Sequence, residues 1–530
     1  MRRGPRRARL VSVLPARLVV CLATSLGITL FVAAPARAET FVAPAFVRFG
    51  WLSPPDDSTT DAHVAEMAAA GLDLMLPAEN DSGDRVQQLH RLDLAAVHGL
   101  RCIVWDTRFA SFYRLDVDSP AGQVRMDSIA ADYRDHPAMF AYYMGDEPSA
   151  PWALRRKIAD ALRTRDPAHP IWNNLVGRGF WPDTASWLGY TRSYLDSIPA
   201  RVLCDDHYEF RTDGDLGTFF ENAAGLRAAA DAHAMPFWAI VLLVQHRGYR
   251  AVTPGMLRWQ VANLLAYGCR GIGYFAWWTP SPDTVWDWHD AVIRNDGTRS
   301  SWYDVVSDLD RDAGAAGNRL AAMRWVSTQC TEPVPSGADR FRGDDWITAV
   351  DGRVTVGRFV DAAGDPHVIC VNRDSLSTQV ITLHFRGLTG VMRLDTATGA
   401  WLPEALALSG DSGDERALRL ALEPGDLALL RLDGTRGEAV GRVGPRLAVA
   451  TNPARGATQL TFAHLDAGAR LEILDTTGRR IRGWSPPPGD GIVSWDGDSD
   501  EGGRVPPGFY LARVRDSRGD AAARIMWLGR

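Results

Sequence analysis

Two short segments carry most of the chemistry open to this chain. The first is Tyr142-Tyr-Met-Gly-Asp-Glu-Pro148, an apolar run that ends in two adjacent acids and is stopped at once by proline. Successive side chains of an extended strand leave on opposite faces, so Asp146 and Glu147 point in different directions and only one need face a site. The second is Cys204-Asp-Asp-His-Tyr-Glu209, where three more acids follow another apolar run. Two carboxyl groups from separate segments are what cleavage of a glycosidic bond requires: one protonates the departing oxygen, and the other attacks or activates water. A like charge nearby helps to keep the acid protonated near neutral pH. Glu147 is therefore the expected general acid and Asp206 the expected second carboxylate, with Asp205 and Glu209 as alternatives for the latter.

Acids from distant segments need a scaffold that brings them together. Between residues 41 and 317, eight short apolar runs (45–52, 72–77, 101–105, 139–145, 170–176, 201–205, 236–245 and 271–278) alternate with amphipathic helical stretches. Several helices end at glycine, as at Ala70-Gly71, His98-Gly99 and Tyr267-Gly268. Eightfold strand–helix alternation predicts an α/β fold, a (β/α)8 TIM barrel. A doubly wound sheet would show a glycine-rich turn after its first strand, and Phe49-Gly-Trp-Leu-Ser-Pro-Pro55 has one glycine. Barrel chemistry gathers at the carboxyl ends of the strands. Those ends carry Asp56 and Asp57, Glu79 and Asn80, Asp106, Asp146 and Glu147, Asn173 and Asn174, Asp205 to Glu209, Gln245 and His246, and Trp277 and Trp278. Acids, amides and indoles at one mouth suit a sugar, whose hydroxyls need donors and acceptors and whose ring faces pack on aromatic planes. Glu79, Asp106, Asp146, Asn174, Tyr208 and Gln245 are the expected substrate-binding residues, and one indole of Trp277 and Trp278 is expected to meet a sugar ring. Trp105, Trp181, Trp286 and Trp288 are further candidate platforms. The His-x-His pair of a metallohydrolase barrel is missing from the first run, so no metal and no other cofactor is expected.

These motifs resemble those of the clan A glycoside hydrolases, and more closely those of bacterial glycosidases with Gly-Asp-Glu-Pro on strand four. In those relatives an Asp-x-Tyr follows strand six, matched by Asp206-His207-Tyr208, and a Gln ends strand seven, matched by Gln245. A Thr-Pro-x-x-x-Arg helix follows, matched by Thr253-Pro-Gly-Met-Leu-Arg258, and leads to Ala266-Tyr-Gly-Cys-Arg-Gly-Ile-Gly-Tyr-Phe-Ala-Trp-Trp278 and Asn295-Asp-Gly-Thr-Arg-Ser-Ser-Trp-Tyr303. The resemblance covers about half the chain and implies an exported hydrolase of O-glycosidic bonds acting on a poly- or oligosaccharide. The wider clan carries Asn before its strand-four acid and a Glu nucleophile on strand seven, whereas Asp146 and Gln245 stand here. Gln245 cannot serve as a carboxylate nucleophile, which is why Glu147 is paired with Asp206. The missing strand-seven acid leaves open a non-catalytic carbohydrate-binding or scaffold protein. A lyase using Tyr208 or Tyr274 as base is a third reading.

The chain of 530 residues exceeds what one core supports. Residues 1–38 hold seven Arg and no acid, an apolar stretch and a terminal Ala36-Arg37-Ala38, the pattern of a cleaved export signal, with an uncleaved anchor as the alternative. Without them the 58 basic residues fall to 51 against 64 acidic ones, a net charge of −13. Such an acidic chain is poorly suited to nucleic acid. Lys157 is the only lysine, on the exposed side of an amphipathic stretch, which disfavours Schiff-base chemistry. Five cysteines remain beyond the signal without paired spacing; Cys330 and Cys370 are the pair left open for a bridge. The barrel is expected over 39–325. After Cys330 the pattern alternates with period two, predicting two small all-β sandwich domains over 326–434 and 447–530, joined by a polar linker at 435–446. The last of these, with Leu471-Glu-Ile-Leu-Asp-Thr-Thr-Gly-Arg-Arg-Ile481, Val493-Ser-Trp-Asp-Gly497 and Gly508-Phe-Tyr-Leu-Ala-Arg-Val514, resembles the immunoglobulin-like domain of flagellar hook-capping proteins and the sorting domains of type IX secretion substrates. That resemblance implies a partner in the cell surface or the secretion machinery.

Overall fold

Eight parallel strands close on themselves: β1 (Val47–Gly50), β2 (Leu74–Met75), β3 (Arg101–Val104), β4 (Met139–Asp146), β5 (Ile171–Val176), β6 (Leu203–Asp206), β7 (Phe237–Leu242) and β8 (Gly271–Phe275) pair in sequence order, and β8 pairs back onto β1. This computed structural model describes residues 41, 43–79, 81–110, 116–344, 347–409, 415–434, 445–516 and 519–529. The export signal expected over 1–38, Asn80, Trp346 and most of the linker fall outside the described residues.

Helices α1 (Asp61–Ala69) and α2 (Arg85–Val97) follow β1 and β2, and α3 (Thr107–Ala110) and α4 (Pro120–Tyr133) lie between β3 and β4. Then α5 (Ala153–Arg165), α6 (Thr184–Ser197), α7 (Phe219–Ala232), α8 (Pro254–Ala266) and α9 (Trp302–Ala321) each follow one further strand. The loops at the strand carboxyl ends close with helix caps. Thr60, Asp84, Ser119, Asp183 and Thr253 each accept from a backbone N–H in the first turn of the helix that follows, and each such cap contributes about 1 kcal/mol. The strand ladders are shorter than the apolar runs, because buried residues continue into the mouth: Leu243 and Val244 are still buried after β7 ends. Lys157 sits exposed on α5, paired with Asp118.

Among the described residues, eleven strands between Arg324 and Gly434 form a seven-stranded and a four-stranded sheet around a separate apolar core. The larger sheet lies on α8. Thr328 Oγ1 donates to the Ala266 carbonyl (2.6 Å), Trp259 Nε1 to the Arg373 carbonyl (3.2 Å), and Arg258 Nε to the Pro424 carbonyl (3.1 Å). A Cβ at Gly357 would stand 2.6 Å from the Ala266 carbonyl oxygen, so only glycine permits this approach. Seven more strands among the described residues between Arg446 and Trp527 form sheets of three and four strands around Trp495, Tyr510 and Trp527. The chain is thus a TIM barrel followed by all-β sandwich units. All five described cysteines are buried and free, so Cys330 and Cys370 form no bridge.

Candidate active site

β4 delivers the paired acids. From Met139 to Met144 it is buried in the barrel wall, and its register with β5 shifts between Tyr143 and Asp146. Gly145 has φ of 101° and Glu147 has φ of 40°. A left-handed backbone is costly for a residue with a Cβ, and the proline that follows adds a further restriction, so the surroundings must hold this turn. They do: the Glu147 N–H donates to the Asn174 carbonyl (2.9 Å), and the Tyr190 hydroxyl donates to the Pro148 carbonyl (2.8 Å).

Asn174, on β5, joins the two segments. Its Nδ2 donates to Asp146 Oδ1 (3.1 Å) and to Asp206 Oδ1 (3.0 Å). Asp206 is 7% exposed at the end of β6, and Tyr208 beside it has its pKa pushed well up by burial and then by the Asp206 charge. The adjacent acid leaves on the other face: Asp205 is buried and accepts from Asn222 of α7 (3.1 Å). Glu209 accepts from the backbone N–H groups of Gly217 (2.6 Å) and Phe219 (3.1 Å) and pairs with His207, fixing the start of α7. Of the three acids after β6, Asp206 alone is hydrogen-bonded into the Asn174 cluster.

Electrostatics follow from this crowding. Burial pushes Asp206 well above the ordinary carboxylate range, and the charges of Glu147 and Asp146 push it further, against the Asn174 hydrogen bond. Glu147 reaches solvent through the mouth, yet surrounding protein raises it, and then the Asp146 charge does so again. Asp146 is raised by the surrounding protein against the hydrogen bond from Asn174. Asp205 is pushed up to about 8 by burial. Among the described residues the Glu147 carboxylate has no hydrogen-bond donor, unlike Asp146 and Asp206.

Aromatic rings line two sides. Tyr143 lies between Trp51 and Trp105, ring centroids 6.1 and 5.7 Å away. Tyr208 stacks on Phe275 (5.5 Å) and abuts Tyr249 and His246, and His246 in turn contacts Trp286 and Trp288. Trp286 stacks on Trp288 (5.8 Å) and is 48% exposed. Burial depresses the His246 pKa, and its Nδ1 lies 3.0 Å from the Val244 carbonyl.

Other expected site residues stand elsewhere. Trp277 and Trp278 are 0% and 4% exposed, so neither indole offers a face to a sugar; Trp277 packs on Tyr303 and Trp278 on His63. Asp106 is not brought to the cluster, because Arg108 and the Tyr133 hydroxyl occupy its carboxylate. Glu79 accepts from the Ser281 N–H and so braces the loop after β8. Gln245 is half-buried beyond β7, with its carbonyl accepting from His289 (3.0 Å). Tyr274, a base in the lyase reading, is buried and donates to Asp310 (2.6 Å), away from this cluster. The bridging amide of Asn174 and the Trp51–Tyr143 wall had no sequence signal beyond strand alternation. No group of three or more His, Cys, Asp or Glu among the described residues is arranged to hold a metal ion.

No family model matches the chain. No curated protein matches it either. Solved structures do. A glycoside hydrolase family 5 protein from Bacteroides vulgatus is 11% identical, with a TM-score of 0.47 over 75% of this chain and 93% of that one. A β-galactosidase from Bacillus circulans sp. alkalophilus is 10% identical, with a TM-score of 0.47 over 73% of this chain and 99% of that one. A β-galactosidase from the psychrophilic Marinomonas ef1 is 10% identical, with a TM-score of 0.38 over 52% of this chain. The chain spans 61% of the length of that last protein.

Proposed function

We propose that this protein is an exported glycoside hydrolase that cleaves O-glycosidic bonds of a poly- or oligosaccharide. Glu147 protonates the departing oxygen, and Asp206 attacks the anomeric carbon or takes a proton from the attacking water. The observation that carries this reading is the carboxylate cluster at the carboxyl ends of β4 and β6. Glu147 opens to solvent through the mouth with its pKa raised by surrounding protein and then by the Asp146 charge, and Asn174 ties the two further carboxylates together beside it. A raised pKa suits the group that must protonate the leaving oxygen. Export rests on the pattern of residues 1–38, and the unit over 447–530 is read as a surface-attachment or sorting module from its motifs.

A second reading, a carbohydrate-binding protein without turnover, is favoured by Gln245 at the position of the strand-seven nucleophile. One experiment separates the two. The purified chain is screened against a panel of polysaccharides, with Glu147→Gln as control. The hydrolase reading expects Glu147→Gln to lower turnover by about 10²–10⁴-fold while binding persists. Binding without hydrolysis by the unaltered chain, or equal turnover in the variant, overturns it.

A further inference from the structure

His246 stands in the loop after β7 and is 6% exposed. The residues on either side of it are tied to the loop after β8. The Arg247 N–H donates to the Trp286 carbonyl (2.7 Å), and the His289 N–H donates to the Gln245 carbonyl (3.0 Å). The imidazole packs against Tyr249 and Trp288, with ring centroids 4.6 and 4.7 Å away, while Tyr208 and Phe275 meet it edge to face. Two loops and four rings thus fix its orientation.

Its two nitrogens are not equivalent. The Val244 carbonyl can only accept, so the contact of 3.0 Å means that Nδ1 carries a hydrogen and donates it. Burial lowers the pKa from the ordinary histidine value, which leaves the ring neutral at pH 7. A neutral imidazole with its hydrogen on Nδ1 has a bare Nε2, which can only accept. Nε2 has no partner among the described residues and is not one of their fully buried orphaned atoms, so it reaches solvent. The half-exposed indole of Trp286 stands beside it, with ring centroids 6.3 Å apart.

We propose that His246 determines specificity in a sugar subsite at this rim of the mouth: its bare Nε2 accepts a hydrogen bond from a hydroxyl of a sugar unit bound beside Trp286. The contact is selective by chemistry. A hydroxyl or an amide N–H satisfies Nε2, whereas a carboxylate, an ether oxygen or a bare C–H at the same ring position leaves the acceptor desolvated and unpaired. The indole supplies the apolar face and the imidazole the directional bond, the division of labour that sugar sites use. Because the rings already hold the acceptor in place, little freedom is lost on binding. The subsite rests on the carbohydrate reading of the mouth and is independent of which carboxylate carries the proton.

The test uses the full chain carrying Glu147→Gln, so that bound sugar is not cleaved, with cellohexaose, galactohexaose and mannohexaose as probes. Histidine is labelled with 15N, and the His246 signals are assigned by their loss in His246→Phe. In the free protein at pH 7 the spectrum should show hydrogen on Nδ1 and none on Nε2. A probe that binds should move the Nε2 resonance and leave Nδ1 in place. His246→Phe keeps the ring packing and removes the acceptor, and calorimetry should show the probe weakened by about three- to tenfold. His246→Gln, whose amide oxygen can stand where Nε2 does, should recover part of that loss. A hydrogen on Nε2 in the free protein, an unmoved Nε2 resonance at saturation, or equal affinity in His246→Phe overturns the proposal. Those outcomes sink only the role of His246. Failure of all three probes and of the polysaccharide panel to bind sinks the carbohydrate reading itself, and the subsite with it.

Discussion

The Tyr190 hydroxyl donates to the Pro148 carbonyl at 2.8 Å, which ties α6 to the residue immediately after Glu147. The bond spans two neighbouring helical units of the barrel and holds a turn whose backbone is otherwise unfavourable, with Glu147 at φ of 40°. Tyr190→Phe removes this bond without altering the ring that packs against Trp152 and Trp181. The expected loss of stability is small, about 1 kcal/mol. Turnover should fall more, by about tenfold, because a slight displacement of an acid is costly to proton transfer. Measuring kcat and KM on a polysaccharide that the unaltered chain hydrolyses checks this; an unchanged kcat would show that the tie does not position Glu147.

The backbone at Glu147 gives a second prediction, in stability rather than rate. In ordinary backbone alanine is more stabilising than glycine. At a positive φ the order reverses, since alanine keeps the Cβ that conflicts with the left-handed conformation. Both Glu147→Ala and Glu147→Gly remove the carboxyl group and should abolish turnover. The glycine variant should nonetheless be the more stable by about 1 kcal/mol, read from urea unfolding of the two proteins side by side. The opposite order would mean that the turn relaxes once the acid is gone.

A third prediction concerns pH. Asp205 titrates at about 8 in the folded chain because burial disfavours its charge, far above an unfolded aspartate. The folded state thus holds a proton that the unfolded chain has already released. Between roughly pH 4 and 8 stability falls as pH rises. The contribution is fully present below the unfolded pKa and is lost as pH climbs through the folded one. Asp310, raised to about 7 by burial and bonded to Tyr274, works in the same direction. Asp205→Asn keeps the shape, carries no charge and lets the Asn222 amide re-pair. Urea unfolding at pH 5 and pH 8 should show the unaltered chain losing stability between them and the variant losing less, by about 1 kcal/mol or more. Parallel losses in both proteins would mean that Asp205 is not the group responsible.

The barrel was legible because its periods are strong. Eight apolar runs, capped helices and terminal glycines repeat too regularly to fit another common architecture, and the acids after the fourth and sixth runs marked where side chains converge. Helix α6 has a weak local signal: Thr184-Ala-Ser-Trp-Leu-Gly-Tyr-Thr-Arg-Ser-Tyr194 is rich in weak helix formers, and burial of Trp187 and Tyr194 decides its conformation. Nothing local in the sequence shows that Arg108 folds back onto Asp106. The burial of the indoles after β8 is likewise not visible locally. Trp277 fills space left by Gly50, where a Cβ would stand 2.4 Å from the Trp277 Cβ, and that fit depends on the closure of β8 onto β1. Asn174 counted as one amide among several, since its two carboxylate partners come from different strands on either side.

Exchanging the tryptophans separates packing from recognition. Trp277 is wholly buried against Tyr303, so Trp277→Ala leaves a cavity in the barrel wall and should cost about 3–5 kcal/mol. Trp286 is different. Its ring rests on Trp288 and leaves nearly half of its surface in solvent, while its carbonyl accepts from the Arg247 N–H (2.7 Å), so the loop holds the indole in place. Ring contacts run from it through His246 to Tyr208, two residues beyond Asp206. Trp286→Ala should change stability by less than about 1 kcal/mol and weaken binding of an oligosaccharide substrate by about five- to tenfold. Calorimetric titration of Glu147→Gln with and without the Trp286 change gives the affinity free of turnover. Equal affinities would remove Trp286 from the binding surface and turn attention to Trp51 and Trp105 beside Tyr143.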